Sequence, residues 1–406
     1  MVKLSRRTAL AAPLAALATP SLALAAEVEP PPSLGNLFAP IGDYACRFKP
    51  QLSFLNDRFQ RLDDWKRLAR QAYAARLAYA PPTVPFGARV LSTAQKNGYS
   101  QDELVFRTSP YTEVSARLLK PENPLLGKPG LVALHDHGGF YYLGKEKITE
   151  NDDEPAVLTE FKQRTYGGRS FASDFARAGF AVLAIDAYYF GSRRLDPASL
   201  PPGRADSLRD LSPGSSQYIS TYNRFAGSYE PLMAKTIFLS GATWPGILLW
   251  DDLRSVDYLK SRPEVNPNRI GCVGLSGGGL RAATLGGMHP SIRSTVVCCF
   301  MSTAAALLRA DVEHHTWMMY VPHVFAELDL PDVASMAAPN RLLVQYGTKD
   351  ALFNETGQRD SAAKLQLVYR KAGCADRFRA SFHDGPHGFS VPMQEEALRW
   401  FKDSLR

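Results

Sequence analysis

The chain is poor in the residues that staple or metallate a fold. It has 5 cysteines in 406 residues, with no C-x-x-C pair and no dense disulfide framework, which excludes the zinc-ribbon and small disulfide-rich classes. Histidine is equally sparse, with 8 in all. Charge of one sign is not concentrated: 47 basic residues face 40 acidic ones, for a net +7. No basic run is interleaved with aromatics, so nucleic acid is not an expected partner. After the first 26 residues no stretch is long and apolar enough to span a membrane. The 30 glycines and 29 prolines are too few for a disordered chain, and 45% hydrophobic with 21% charged residues is globular composition with material for a core.

What is present begins with a targeting pattern. Ser5-Arg6-Arg7-Thr8-Ala9-Leu10 sets paired arginines before an Ala/Leu/Pro-rich stretch that ends at Ala23-Leu24-Ala25. A charged start, an apolar middle and a small-residue end make an export signal at 1–26, and the arginine pair favours the twin-arginine route. A periplasmic or secreted location is therefore expected. Removing Lys3, Arg6 and Arg7 with the signal leaves a modest positive balance. Residues 27–100 read as a Pro-rich linker and an N-terminal helical extension. Phe59, Leu62, Trp65, Leu68, Ala69 and Ala72 recur at helical spacing within 57–80, and Pro81-Pro82 stops the helix.

From about residue 101 the pattern alternates. Eight strand-like runs, at 104–107, 114–119, 131–134, 180–185, 270–275, 295–300, 342–346 and 378–382, are separated by helical stretches at 171–178, 247–260, 279–288 and 361–371. The first two runs read as a hairpin. Several others are wholly apolar, as strands covered on both faces should be. The expectation is an α/β fold, a mostly parallel eight-stranded sheet with helices on both faces, over 101–406. Insertions at about 187–245 and 302–338 are too long for simple connections and are expected to act as lids or binding loops, at least one of them facing substrate. Cys272, Cys298 and Cys299 fall in apolar runs as buried thiols, and adjacent Cys298 and Cys299 should point to opposite faces of a strand. Only Cys46 and Cys374 are left as candidates to pair.

The chemistry centres on Gly274-Leu275-Ser276-Gly277-Gly278, the one G-x-S-x-G in the chain. Chance supplies roughly 0.1–0.2 such matches at this length and composition, so the motif alone is weak. It gains weight because an apolar run precedes it and a helical pattern follows, the strand–turn–helix setting of a nucleophile elbow. A serine hydroxyl needs a base to take its proton. His387 sits in a Pro/Gly loop after the last strand and is the expected base, whereas His383 continues the strand and reads as structural. Asp350, just past the run at 342–346, is the expected acid, with Glu355 and Asp360 as rivals further along. The order Ser276, Asp350, His387 suits this arrangement. The backbone N–H of Gly277 is one expected oxyanion donor. The second should come from His135-Asp136-His137-Gly138-Gly139, as the N–H of His137 or Gly138, or of Gly139 if the motif is aligned on His137. His135-x-His137 lacks the remaining ligands of a metallo-hydrolase site, and adjacent His314-His315 is a poor chelator that either lines a pocket or packs. No metal and no cofactor is expected.

On these residues the chain resembles the α/β-hydrolase superfamily over about 100–406. Trp250-Asp251-Asp252-Leu253-Arg254, Arg269-Ile270-Gly271 and the elbow are similar to the dienelactone-hydrolase and acetyl-xylan-esterase-like branch of exported bacterial serine esterases. That resemblance implies a Ser-His-Asp carboxylic ester hydrolase without a cofactor, acting on a small-molecule or carbohydrate ester, including esterified polysaccharide. Dienelactone hydrolases typically carry cysteine where this chain has Ser276. Two other readings share the same motif: an exported serine peptidase of the prolyl-oligopeptidase type, for which the segment before residue 100 is too short to supply the usual propeller, and a non-catalytic binding protein on a hydrolase fold. The sequence leaves acyl group, alcohol moiety and oligomeric state open.

Overall fold

The computed structural model describes residues 30–47, 49–122 and 127–405, so the expected export signal at 1–26 lies outside the described residues. Among the described residues there are nine strands: β1 (Arg89–Lys96), β2 (Tyr99–Arg107), β3 (Glu113–Pro121), β4 (Lys128–Leu134), β5 (Ala181–Ile185), β6 (Val265–Leu275), β7 (Ile292–Cys298), β8 (Arg341–Gly347) and β9 (Phe378–His383). They form one sheet in the order β1-β2-β3-β5-β4-β6-β7-β8-β9. β1, β2 and β3 run antiparallel, β3 meets β5 antiparallel, and from β5 to β9 every pairing is parallel. The expected strands are β2 to β9, and the expected hairpin is β2/β3. β1 is an addition at the edge, so the sheet begins at Arg89 rather than near residue 101. Its first five residues are exposed, so its side chains carry no alternation, and it is held through main-chain pairing with β2.

Every residue of β5 is buried, as are the last five of β4 and of β7 and the last six of β6 and of β8. The reason is cover on both faces. On one side lie the helices Leu62–Leu77, Trp244–Lys260, Gly277–Met288 and Glu355–Lys371, and on the other Ala156–Tyr166, Phe171–Arg177 and Val391–Ser404. The N-terminal helix docks through Trp65, Ala69, Tyr73 and Leu77, all buried, and Trp65 Nε1 donates to Leu52 O at 2.6 Å. Burying each large apolar side chain of this kind contributes roughly 1.5–3 kcal/mol, which makes the extension part of the main core. It starts at Leu62 rather than residue 57, because Arg61 is extended (ψ 128°).

The two long intervals are folded. The first carries the helix Ser216–Leu239, and the second a series of short turns including Trp317–Met319. A third apolar cluster joins them, with Tyr141, Phe190, Tyr222, Trp244 and Met318 among its members. Register aligns the carboxyl ends of the central strands: Leu134 pairs with Gly274, Leu275 with Cys298, and Cys298 with Gln345. The residues just beyond those ends therefore converge on one edge, where open α/β sheets bind ligands. Among the described residues no single helix is long and apolar enough to cross a membrane.

Candidate active site

The turn after β6 is tight because glycines allow it. A Cβ on Gly274 would lie 2.2 Å from Gly278 O, and one on Gly278 would lie 2.1 Å from Leu134 O, far inside van der Waals contact. Between them Ser276 holds φ 56° and ψ −122°, a strained conformation for a residue with a side chain. Main-chain bonds fix it: Ser276 N–H donates to Cys298 O at 2.9 Å, and Leu280 N–H to Ser276 O at 2.9 Å. The helix Gly277–Met288 begins at the next residue, which is the sharp strand-to-helix bend expected of an elbow.

Asp350 and His387 are brought together from loops 37 residues apart, His387 Nδ1 lying 2.7 Å from Asp350 Oδ2. The Asp350 side chain is 1% exposed, and its Oδ1 accepts from Leu352 N–H at 2.9 Å. Burial lowers the His387 pKa, but the hydrogen bond and charge of Asp350 outweigh it, so the net shift is upward from 6.5. The rivals are placed elsewhere: Glu355 and Asp360 lie on the helix Glu355–Lys371, where Glu355 pairs with Arg359. His383 ends β9 and is tied to Ser381 Oγ (2.9 Å) and Glu396 Oε2 (3.0 Å), in keeping with a structural role.

Ser276 and His387 line one cavity of about 320 Å³ together with His137, Gly138 and Gly277. A Cβ on Gly277 would sit 3.2 Å from His137 N, so the elbow and the loop after β4 abut at the two expected donor positions. The alternative donor is engaged: Gly139 N–H bonds His137 Nδ1 at 3.1 Å. An accepting Nδ1 puts the proton of neutral His137 on Nε2, which meets Glu230 Oε1 at 2.6 Å. His135 is buried and its pKa is well below 6.5, chiefly through burial. Its Nδ1 bonds Asp136 O at 2.8 Å and its Nε2 accepts from Ala187 N–H at 3.1 Å. Both nitrogens of both loop histidines are thus committed to protein partners. Both insertions reach the cavity, the first with Phe190 and the second with His314, His315 and Met318.

No family model matches the chain. It is 24% identical over 326 residues, 80% of this chain and 95% of the relative, to a Bacillus subtilis (strain 168) protein named "Putative hydrolase YtaP". Among solved structures it is similar to one titled as a putative acetyl xylan esterase from Bacteroides fragilis NCTC 9343, with TM-score 0.65, 15% identity, and 84% of this chain and 81% of that one covered. It is also similar to the glucuronoyl esterase from Solibacter usitatus, with TM-score 0.60, 14% identity, and 88% and 98% covered. The chain has the α/β-hydrolase fold.

Within this α/β-hydrolase fold two residues near the site, Glu230 and Lys147, carried no sequence signal strong enough to single them out, and a third, Cys299, is placed differently from expectation. Glu230 has one weak cue, being the sole acid of the helix Ser216–Leu239. Lys147 has none. Cys299 was expected to share a strand with Cys298 on the opposite face. Instead β7 ends at Cys298 and Cys299 turns to φ 45°. Both thiols then contact Gly388 O, at 3.6 and 3.3 Å, in the loop that carries His387. One ligand-type atom each of Cys299, Asp350 and His387 lies within 4.8 Å of the others, a cluster in which the Asp350–His387 hydrogen bond already engages two members. Cys46 is exposed and Cys374 buried, both as free thiols.

Proposed function

We propose that the chain is a serine hydrolase of carboxylic esters, with Ser276 as nucleophile, His387 as general base and Asp350 as the acid that orients it. The observation that carries this is the Asp350–His387 pair at 2.7 Å facing the same cavity as a strained elbow serine. Asp350 accepts from Nδ1–H, which leaves Nε2 of neutral His387 free to take the Ser276 proton. Ser276 Oγ then bonds the ester carbonyl carbon. The oxygen charge that develops is met by the N–H of Gly277 and the N–H of His137 or Gly138. Collapse expels the alcohol, protonated by His387 on its departure. Water attacks the acyl-enzyme with His387 again as base, and the acid leaves.

The likeness to acetyl xylan and glucuronoyl esterases favours esterified polysaccharide as the substrate class, and the paired arginines favour export to the periplasm or beyond by the twin-arginine route. The test is a screen of acetyl, longer-acyl and uronate methyl esters with wild type and Ser276→Ala. The variant should keep its fold, lose nearly all turnover and fail to label with a fluorophosphonate. Equal turnover by both proteins refutes the assignment.

A further inference from the structure

We propose that Lys147 is a positioning residue whose ammonium aims the oxyanion donors of the loop after β4. This rests on the function proposed above and concerns the same site. Lys147 is fully buried. Its Nζ donates to Asp136 O at 2.5 Å and to His137 O at 3.3 Å, and lies 3.4 Å from Asp136 Oδ2. Two consecutive carbonyls are therefore held by one cation.

A trans peptide is planar, and the C=O of one residue points opposite to the N–H of the next. Holding Asp136 O on the lysine side sends the His137 N–H the other way. Holding His137 O does the same for the Gly138 N–H. The other way is toward the elbow, since the Cβ position of Gly277 is 3.2 Å from His137 N. Each carbonyl has a second donor that reinforces the setting: His135 Nδ1 on Asp136 O at 2.8 Å, and Phe140 N–H on His137 O at 3.2 Å.

The surroundings argue against a substrate contact for the lysine. Lys147 is not among the described residues that line the cavity. It sits behind the loop, with the Phe190 ring at 4.9 Å and the Phe161 ring at 5.7 Å. Its counter-charge is Asp136, whose Oδ1 is taken by Tyr166 OH. Uncompensated burial of an ammonium is costly, and an apolar side chain would fill the space without that cost. What an apolar side chain does not supply is a donor for two carbonyls at once.

The experiment uses the full chain and three proteins: wild type, Lys147→Met, and Lys147→Met with Asp136→Asn. The double variant removes both buried charges together, which avoids stranding a carboxylate, and it answers the question should the single variant fold poorly. Readouts are Tm, kcat and KM on p-nitrophenyl acetate, and the affinity of a boronic acid that forms a tetrahedral adduct with serine. Loss of one well-placed oxyanion donor costs about 10²–10³ in kcat, and donors that are present but misaimed should cost roughly 10–100-fold. The expected result is a double variant with Tm near wild type, kcat down by that factor, KM within about threefold, and boronate affinity falling in parallel with kcat. A double variant with wild-type kcat and boronate affinity overturns the proposal. So does a kcat loss that tracks Tm and is recovered in the double variant, which is what a purely structural lysine would give. Failure of the underlying reading looks different: wild type itself would then neither turn over esters nor lose labelling on Ser276→Ala.

Discussion

Replacing Asp350 by Asn tests the catalytic arrangement through a single proton. In the wild type, Oδ1 accepts Leu352 N–H at 2.9 Å and Oδ2 accepts His387 Nδ1–H at 2.7 Å. An Asn that keeps its oxygen toward Leu352 N–H presents its NH₂ to His387. That amide donates to Nδ1, so the ring proton moves to Nε2, the atom that must accept from Ser276. Geometry is preserved and the tautomer is wrong. Where the acid of such a triad has been exchanged for its amide, the loss is about 10⁴ in kcat; 10³–10⁴-fold here corresponds to roughly 4–5.5 kcal/mol of barrier. The pH profile adds a second reading. In the wild type the base must be neutral and its pKa lies above 6.5, since Asp350 outweighs burial, so kcat/KM should climb with pH through that raised value. With the carboxylate gone burial remains, and burial lowers the pKa, so the acid limb should move to lower pH while the plateau falls. The assay is kcat/KM for p-nitrophenyl acetate across pH, with the thermal midpoint as a control for folding. A folded variant within tenfold of wild type, or one whose acid limb stays in place or moves up, refutes the assignment of Asp350.

Gly278→Ala should destabilise the elbow by at least about 3 kcal/mol, because the new Cβ falls 2.1 Å from a main-chain oxygen that cannot move aside; a Tm within a degree of wild type would contradict the turn geometry. Glu230→Ala strands buried donors from His137, Tyr141, Thr316 and Trp317 and should cost about 3 kcal/mol in urea denaturation, with kcat falling as well. Glu230→Gln should show a pH signature. Burial raises the Glu230 pKa, but the His137, Tyr141 and Thr316 hydrogen bonds override it, so the folded value lies below 4.5. The stability this adds is present above the unfolded value and is lost as pH falls through the folded one, so the wild-type advantage over the Gln variant should shrink below about pH 4.5 and be constant above it.

The parallel strands and the elbow were legible because local pattern and global position agree there. A fully apolar run of strand length, a glycine that no other residue can replace, and a helix at once after the serine all point to one bend. His387 and Asp350 were legible for a similar reason, as polar residues in loops just past strand ends. Helix starts were read late where capping decided them. Thr243, which accepts from Gly246 N–H, starts the helix at Trp244 instead of residue 247, and Asn354 starts a later one at Glu355 instead of residue 361; both caps stand in the sequence. β1 was not legible, because an exposed edge strand is specified by the backbone of its neighbour and not by its own side chains. Lys147 and Glu230 were not legible because their roles are fixed by partners the chain delivers from elsewhere, His137 and Glu230 being 93 residues apart.

Glu230 shows why the insertions are folded as they are. It projects from the first insertion, accepts Thr316 Oγ1–H at 2.9 Å and Trp317 N–H at 3.3 Å from the second, and meets His137 and Tyr141 from the loop after β4. A carboxylate is acceptor-only and can take about four donors, and those available here come from two segments, the loop after β4 and the second insertion. Neither donor segment supplies all of these bonds, so the buried charge is best compensated when both meet the first insertion that carries it. The bond that ends the series holds the His137 ring, whose other nitrogen fixes Gly139 N–H. The two insertions and the His137–Gly139 turn are thereby linked through one carboxylate, and on the proposed mechanism a lesion in either insertion that unseats Thr316 or the helix Ser216–Leu239 should lower kcat without touching Ser276, Asp350 or His387.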